Sequence, residues 1–232
     1  MATFAEKEFF GTAIGGVIPP GWIDASSIRD VPDHQEIFLS PTTLSNMIIE
    51  INERVKKEDA FTAQNVEQSA PRGGPPATGE TEDKAAALYH LRDLCDEGDT
   101  MQVITPPQPV PLGKFAAAPG AAVAPPAYTG VVSFTTPKRQ QHPGRIPVAV
   151  DGAAAGSSAA GPQTSTHTCH YLLVRLAPQE TDLLVFVNVP HEEFDLSGDP
   201  RGLSREEEMA TALVAKLAET LEVRDWGLFG SS

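Results

Sequence analysis

Two apolar runs in the second half of the chain restrict its folding more than any other feature. HTCHYLLVRL (His167 to Leu176) and DLLVFVNVP (Asp182 to Pro190) are separated only by APQET. A five-residue polar gap with a proline between two such runs is the pattern of an antiparallel hairpin. Further strands are expected at AIGGVI (Ala13 to Ile18), which ends at a Pro-Pro stop, EIFL (Glu36 to Leu39), NMIIEINERV (Asn46 to Val55) and YTGVVSFTT (Tyr128 to Thr136), the last β-branched and aromatic as strands prefer. Two segments read as helices. In TEDKAAALYHLRDLCDEGD, Leu88, Leu91 and Cys95 share a face, and acids open the segment where the helix dipole favours them. In LSREEEMATALVAKLAETLEV, Ser204 is the expected N-cap and Glu207 completes a capping box. Met209, Leu213, Leu217 and Leu221 then form a stripe suited to lie on a sheet. Strands in hairpin order with helices late in the chain give an α+β fold.

Three segments interrupt this pattern. They begin at Asn65 (NVEQSAPRGGPPATGETEDK), at Pro106 (PPQPVPLGKFAAAPGAAVAPPA) and at Pro137, the last running to about Thr166 through DGAAAGSSAAGPQTST. Such compositions bury too little apolar surface to offset chain entropy. The expectation is a single domain over residues 1–232 with disordered insertions at 65–83, 106–126 and 137–166.

The formal net charge is −14, which disfavours nucleic acid and anionic membranes and favours encounter with a basic partner. The groups Arg54, Lys56, Lys57 and Lys138–Arg139 are too small for a nucleic-acid footprint. Two cysteines do not build a disulfide-stapled secreted domain. The N-terminus has no apolar signal core, and no apolar run approaches the ~20 residues that span a bilayer. An intracellular, reduced, soluble monomer is expected. The phosphate-loop, dinucleotide, nucleophile-elbow and zinc-protease motifs are all absent. In HTCH, strand geometry puts His167 and Cys169 on one face and His170 on the other, and a fourth zinc ligand is missing, so the run reads as structural. Asp24, Asp30, Asp33 and Glu36 lack the spacing and central glycine of a calcium loop, which leaves a protein-binding surface or a solvated turn. No metal or cofactor is expected.

The segment PPGWIDASSIRDVPDHQEIFLSP, Pro19 to Pro41, carries too much apolar mass for a linker and too many prolines for a regular element. With the preceding FFGTAIGGVI it resembles the N-terminal signature of the Ran guanine nucleotide release factor, or Mog, family. The matching residues are Pro19, Gly21, Ile23, Asp24, Ser26, Arg29, Val31, Pro32, Asp33, Gln35 and Glu36. Thr12 stands where that pattern has glycine, and Ile28 and Ile37 are aliphatic exchanges. MIIEINERV with Glu50 and Glu53, YHLRDL with Tyr89, His90, Asp93 and Leu94, YTGVV, the hairpin and Leu228–Phe229–Gly230 resemble later parts of the family. The three Pro/Gly/Ala-rich segments have no counterpart.

The resemblance implies an antiparallel sheet of about six strands flanked by helices, the Mog/PsbP-like sandwich. PsbP itself requires chloroplast targeting, and no Arg/Ser-rich transit segment is present. The resemblance further implies binding to the small GTPase Ran and promotion of guanine nucleotide release, in support of nuclear import, in nucleus and cytoplasm. The action would be binding rather than covalent catalysis. Asp24, Arg29, Asp33, Gln35, Glu36, Glu50 and Glu53 are the implied Ran-binding residues. Prolines would fix the loop so that its polar side chains need little ordering on binding. Glu50 and Glu53 point to opposite faces of a regular strand, so only one meets a partner unless a bulge intervenes. Asp24 before Ala-Ser-Ser also fits a turn cap. A scaffold or trafficking adaptor that binds a basic partner without nucleotide exchange is the alternative.

Overall fold

Pairing sorts the strands into two antiparallel sheets. The computed structural model describes residues 2–62, 79–117, 119, 121–137 and 164–230. The strands are β1 (Ala5–Phe9), β2 (Ile14–Ile18), β3 (Ile23–Asp24), β4 (Gln35–Leu39), β5 (Asn46–Glu53), β6 (Thr100–Pro109), β7 (Ala127–Pro137), β8 (Thr164–Leu176), β9 (Thr181–Pro190) and β10 (Glu222–Val223). The helices are α1 (Lys57–Thr62), α2 (Gly79–Asp93), α3 (Glu192–Ser197) and α4 (Gly202–Thr220). Short 3-10 turns occupy Ala25–Ser27, Ala177–Gln179 and Trp226–Phe229. One sheet has seven strands in the order β3-β4-β5-β9-β8-β7-β6, and the other has the order β1-β2-β10.

The β8–β9 hairpin expected from sequence lies at the centre of the large sheet, in register from His167 opposite Pro190 to Leu176 opposite Thr181. Its apolar runs are near-continuous because helices cover both faces. On one face Leu172, Val174, Val185 and Val187 join Met47, Ile49, the α4 residues Leu213 and Leu217, and Leu221 at the C-cap of that helix. On the other, Tyr171, Leu173, Leu184 and Phe186 meet Ala87 and Leu91 of α2. The small sheet adds Phe9, Ile14, Val17 and Ile18 to the first cluster, so α4 is held between the sheets. A Cβ at Gly16 would lie 2.8 Å from the Phe9 ring and 3.3 Å from Leu217. A glycine there lets β2 approach the helix closely.

The α+β class is as expected, with more strands than the sequence pattern suggested. The expected insertion at 106–126 is partly structured. Pro106 to Pro109 complete β6, an edge strand, where a missing N–H leaves no interior ladder bond unmade. Beyond it, Phe115 is buried with its ring 6.0 Å from Trp226, and the Gly113 N–H donates to the Ala218 carbonyl at 2.9 Å. One aromatic anchor and one edge strand thus offset a composition that otherwise reads as disordered. Residues 79–83 of the first expected insertion belong to α2, and 164–166 of the third to β8. The remaining parts, 65–78 and 138–163, lie outside the described residues. The expected capping box also differs. Helix α4 starts at Gly202, so Ser204 lies inside it, and Asp199 accepts the Arg201 N–H at 3.0 Å just upstream.

Candidate partner-binding cleft

The floor of the site is built from charged residues embedded in apolar strands. Arg175 and Asp182 sit opposite each other across the central hairpin, both facing α2, and Asp182 is 0% exposed. The Arg175 Nε lies 2.8 Å from Asp182 Oδ1. Asp182 Oδ2 accepts the Val55 N–H at 3.0 Å and meets His90 Nε2 at 2.9 Å. Arg175 also donates to the Val55 carbonyl at 2.8 Å and lies 3.4 Å from Asp83 on α2. Asp83 in turn accepts from the Tyr128 hydroxyl at 3.1 Å. Burial pushes the Asp83 carboxyl up despite Arg175, and burial with the Asp83 charge pushes the Tyr128 hydroxyl up to about 12. Removing one member of such a set leaves a buried charge unpaired, so the set fixes the backbone it touches. Here that backbone is the Arg54–Val55 turn leaving β5.

Above this floor lies a cleft of ≈ 440 Å³ between the β4–β5 end of the sheet and α2. Gln35, Glu50, Glu53 and Arg54 line one side, with Tyr89, His90 and Asp93 of α2 on the other. Glu50 is 7% exposed, and its carboxylate accepts from the Gln35 amide at 2.9 Å and from Asn52. Glu53, Asp59 and Asp93 are exposed and, with Glu50, set four carboxylates against Arg54 and Lys56. Strand β5 pairs with β9 without a bulge, so Glu50 and Glu53 do have opposite parity. Both reach the cleft because it opens at the end of the strand.

The seven residues singled out from sequence therefore separate. Gln35, Glu50 and Glu53 come together in the cleft. Arg29 and Asp33 are exposed on the loop before β4 and do not line it. Asp24 is the turn cap that its sequence context allowed. Its carboxylate accepts from the Ser26 N–H at 2.9 Å and hydroxyl at 2.7 Å, and these bonds outweigh its partial burial and hold it below the ordinary range. Glu36 points away from the cleft and accepts the Phe10 N–H at 2.7 Å. Phe10 (φ 49) and Gly11 (φ 74) form the left-handed turn joining β1 to β2, so Glu36 ties the small sheet to the large one. Burial raises its pKa in spite of that bond. Asp24 and Glu36 thus each carry bonds to their own chain, Asp24 as a turn cap at the surface and Glu36 as a tie between the sheets. Sequence reasoning missed the Arg175–Asp182 floor, although a charge inside YLLVRL and another opening DLLVFV were a legible signal.

The Ran-interacting Mog1 protein family matches residues 7–190. The chain belongs to the Mog1 family. The Ran guanine nucleotide release factor of Bos taurus is 27% identical over 208 residues, covering 88% of this chain and 86% of that protein. The nuclear import protein MOG1 of Saccharomyces cerevisiae is 38% identical over 65 residues, which cover 23% of this chain and 30% of that one. The crystal structure of the Saccharomyces cerevisiae Ran-binding protein Mog1p superposes with a TM-score of 0.59 at 20% identity, covering 99% of this chain and 100% of that chain. This likeness establishes the Mog1 fold. The matched span contains every residue of the cleft and the whole of its buried floor.

Proposed function

We propose that this Mog1-family chain binds the small GTPase Ran through the cleft over the Arg175–Asp182 pair and promotes release of its guanine nucleotide. The observation that carries the reading is the set of exposed carboxylates, Glu53, Asp59 and Asp93, around a cleft whose two sides are tied from beneath at Val55 and at His90. Such a cleft presents negative charge with little ordering cost on binding and complements a basic patch on a partner. Release needs no bond chemistry in this chain. If nucleotide-free Ran binds more tightly than loaded Ran, linkage requires the chain to weaken nucleotide binding by the same factor. Carboxylates do this by engaging basic groups of the GTPase that otherwise hold phosphate, or by displacing a switch segment. The setting is nuclear import, with the monomeric chain in nucleus and cytoplasm.

The test is to load Ran with a fluorescent guanine nucleotide and follow its loss on adding the chain. Accelerated loss that saturates with concentration supports the reading. Tight binding with no acceleration makes the chain an adaptor, and absence of binding removes Ran as the partner.

A further inference from the structure

The described residues do not cover the two faces of the large sheet equally at its β6–β7 end. On the α2 face, Val132, Phe134 and Met101 pack beneath that helix. On the α4 face, helix α4 lies over β8 and β9, and the strip beyond it is a groove of ≈ 660 Å³ lined by Ile104, Val131, Ser133, Thr211, Ala212 and Ala215. Ile104 is 52% exposed.

At the end of the groove the polar groups satisfy one another. The Glu207 carboxylate takes the Thr168 hydroxyl, His170 Nε2 at 2.5 Å and His191 Nε2 at 3.3 Å. Thr211 donates to the Glu207 carbonyl at 2.9 Å. The groove therefore offers a small polar ligand little beyond serine hydroxyls, and offers apolar side chains a wall. Its rim carries Glu208, exposed and with no ion-pair partner among the described residues.

We propose that this groove docks an amphipathic helix of a protein partner, with its apolar stripe on Ile104, Val131 and Ala215 and a lysine or arginine facing Glu208. Three features select that occupant. The strip that the described residues leave uncovered is two strands wide, roughly 10 Å, which is about the diameter of one helix. The alanines and Thr211 let a second helix lie close beside α4. The free carboxylate at the rim and the net charge of −14 complement a basic flank. The groove lies on the opposite face of the sheet from the carboxylate cleft, so both can be occupied at once.

The test titrates the full chain with a helical peptide of leucine, alanine and lysine, leucines on one face, and with its twin carrying glutamate for lysine. Amide chemical shifts locate each peptide. The expected result is binding of the lysine peptide with shifts at Val131, Ser133, Ala212 and Ala215. Ile104→Asp should weaken it about tenfold, as loss of an apolar anchor does, with an unchanged melting temperature. Glu208→Lys should remove the preference for lysine over glutamate. Tighter binding to Ile104→Asp would mark mere charge attraction and overturn the proposal. So would shifts at Glu53 and Asp93 instead of the groove, equal affinity for the two peptides, or self-association abolished by Ile104→Asp, which would make a second copy the occupant.

Discussion

Glu207 gives the sharpest quantitative handle on how α4 is attached. Its carboxylate joins the helix to Thr168 and His170 of β8 and to His191 at the start of α3. Burial acts to raise its pKa, but the bonds from His170, His191 and Thr168 and attraction to His170 outweigh it, taking the group from 4.5 to about 2. The folded state thus binds fewer protons than the unfolded state between those values. The resulting stability is complete above about pH 4.5 and is lost as pH falls toward 2. At ~1.4 kcal/mol per tenfold change in acid strength, the interaction is worth about 3 kcal/mol, and nearer 2 after screening of the exposed part of the side chain. Glu207→Gln removes the charge and keeps the shape. Urea unfolding of both proteins from pH 7 to pH 3 should show the variant about 2–3 kcal/mol less stable at neutral pH, with the gap closing below pH 4.5. Two parallel stability curves would refute the linkage.

Other outcomes follow from the same structure. Asp182→Ala should strand the buried Arg175 and cost roughly 3–5 kcal/mol, lowering the melting temperature by ~6–20 °C. Adding Arg175→Met to it should restore most of the loss, and calorimetry of the three variants checks this. Glu36→Ala should leave the Phe10 N–H without its acceptor and cost about 1–3 kcal/mol, whereas Glu36→Gln keeps an acceptor oxygen and should be neutral or stabilising in urea titration. Raising salt should slow association with Ran far more than it speeds dissociation, as measured by stopped-flow mixing.

The sequence disclosed the parts of the fold governed by local pattern. The central hairpin, the packing stripe of α4 and the face of α2 carrying Leu88 and Leu91 all follow from periodicity. β6 was hidden because a proline-rich edge strand has the composition of a linker, and only its position at the sheet margin makes those prolines compatible with pairing. The helix start was misplaced for a related reason. Ser204 and Glu207 have capping-box spacing, but Glu207 gains more from three donors on other elements than from a backbone N–H. The site was half legible. The family resemblance brought out Gln35, Glu50 and Glu53 together with Asp24 and Glu36, whose carboxylates also accept from backbone N–H groups of their own chain. Whether an acid faces a partner or holds its own chain depends on contacts as distant in sequence as Glu36 to Phe10. Arg54, Asp59, Asp93 and the floor beneath them converge only in three dimensions.

Charge reversal in the cleft shows whether its carboxylates drive nucleotide release. Glu53→Lys with Asp93→Lys, together with Asp33→Lys on the neighbouring loop as a separate variant, should each move stability by only ~0.5 kcal/mol, because all three residues are exposed. Nucleotide release from Ran is then compared with that of the unaltered chain. A contact through the cleft requires that the double variant lose stimulated release, since like charges brought together cost several kcal/mol, while Asp33→Lys retains it. A folded cleft variant that still releases nucleotide at the normal rate, or a loss confined to Asp33→Lys, would place the contact elsewhere.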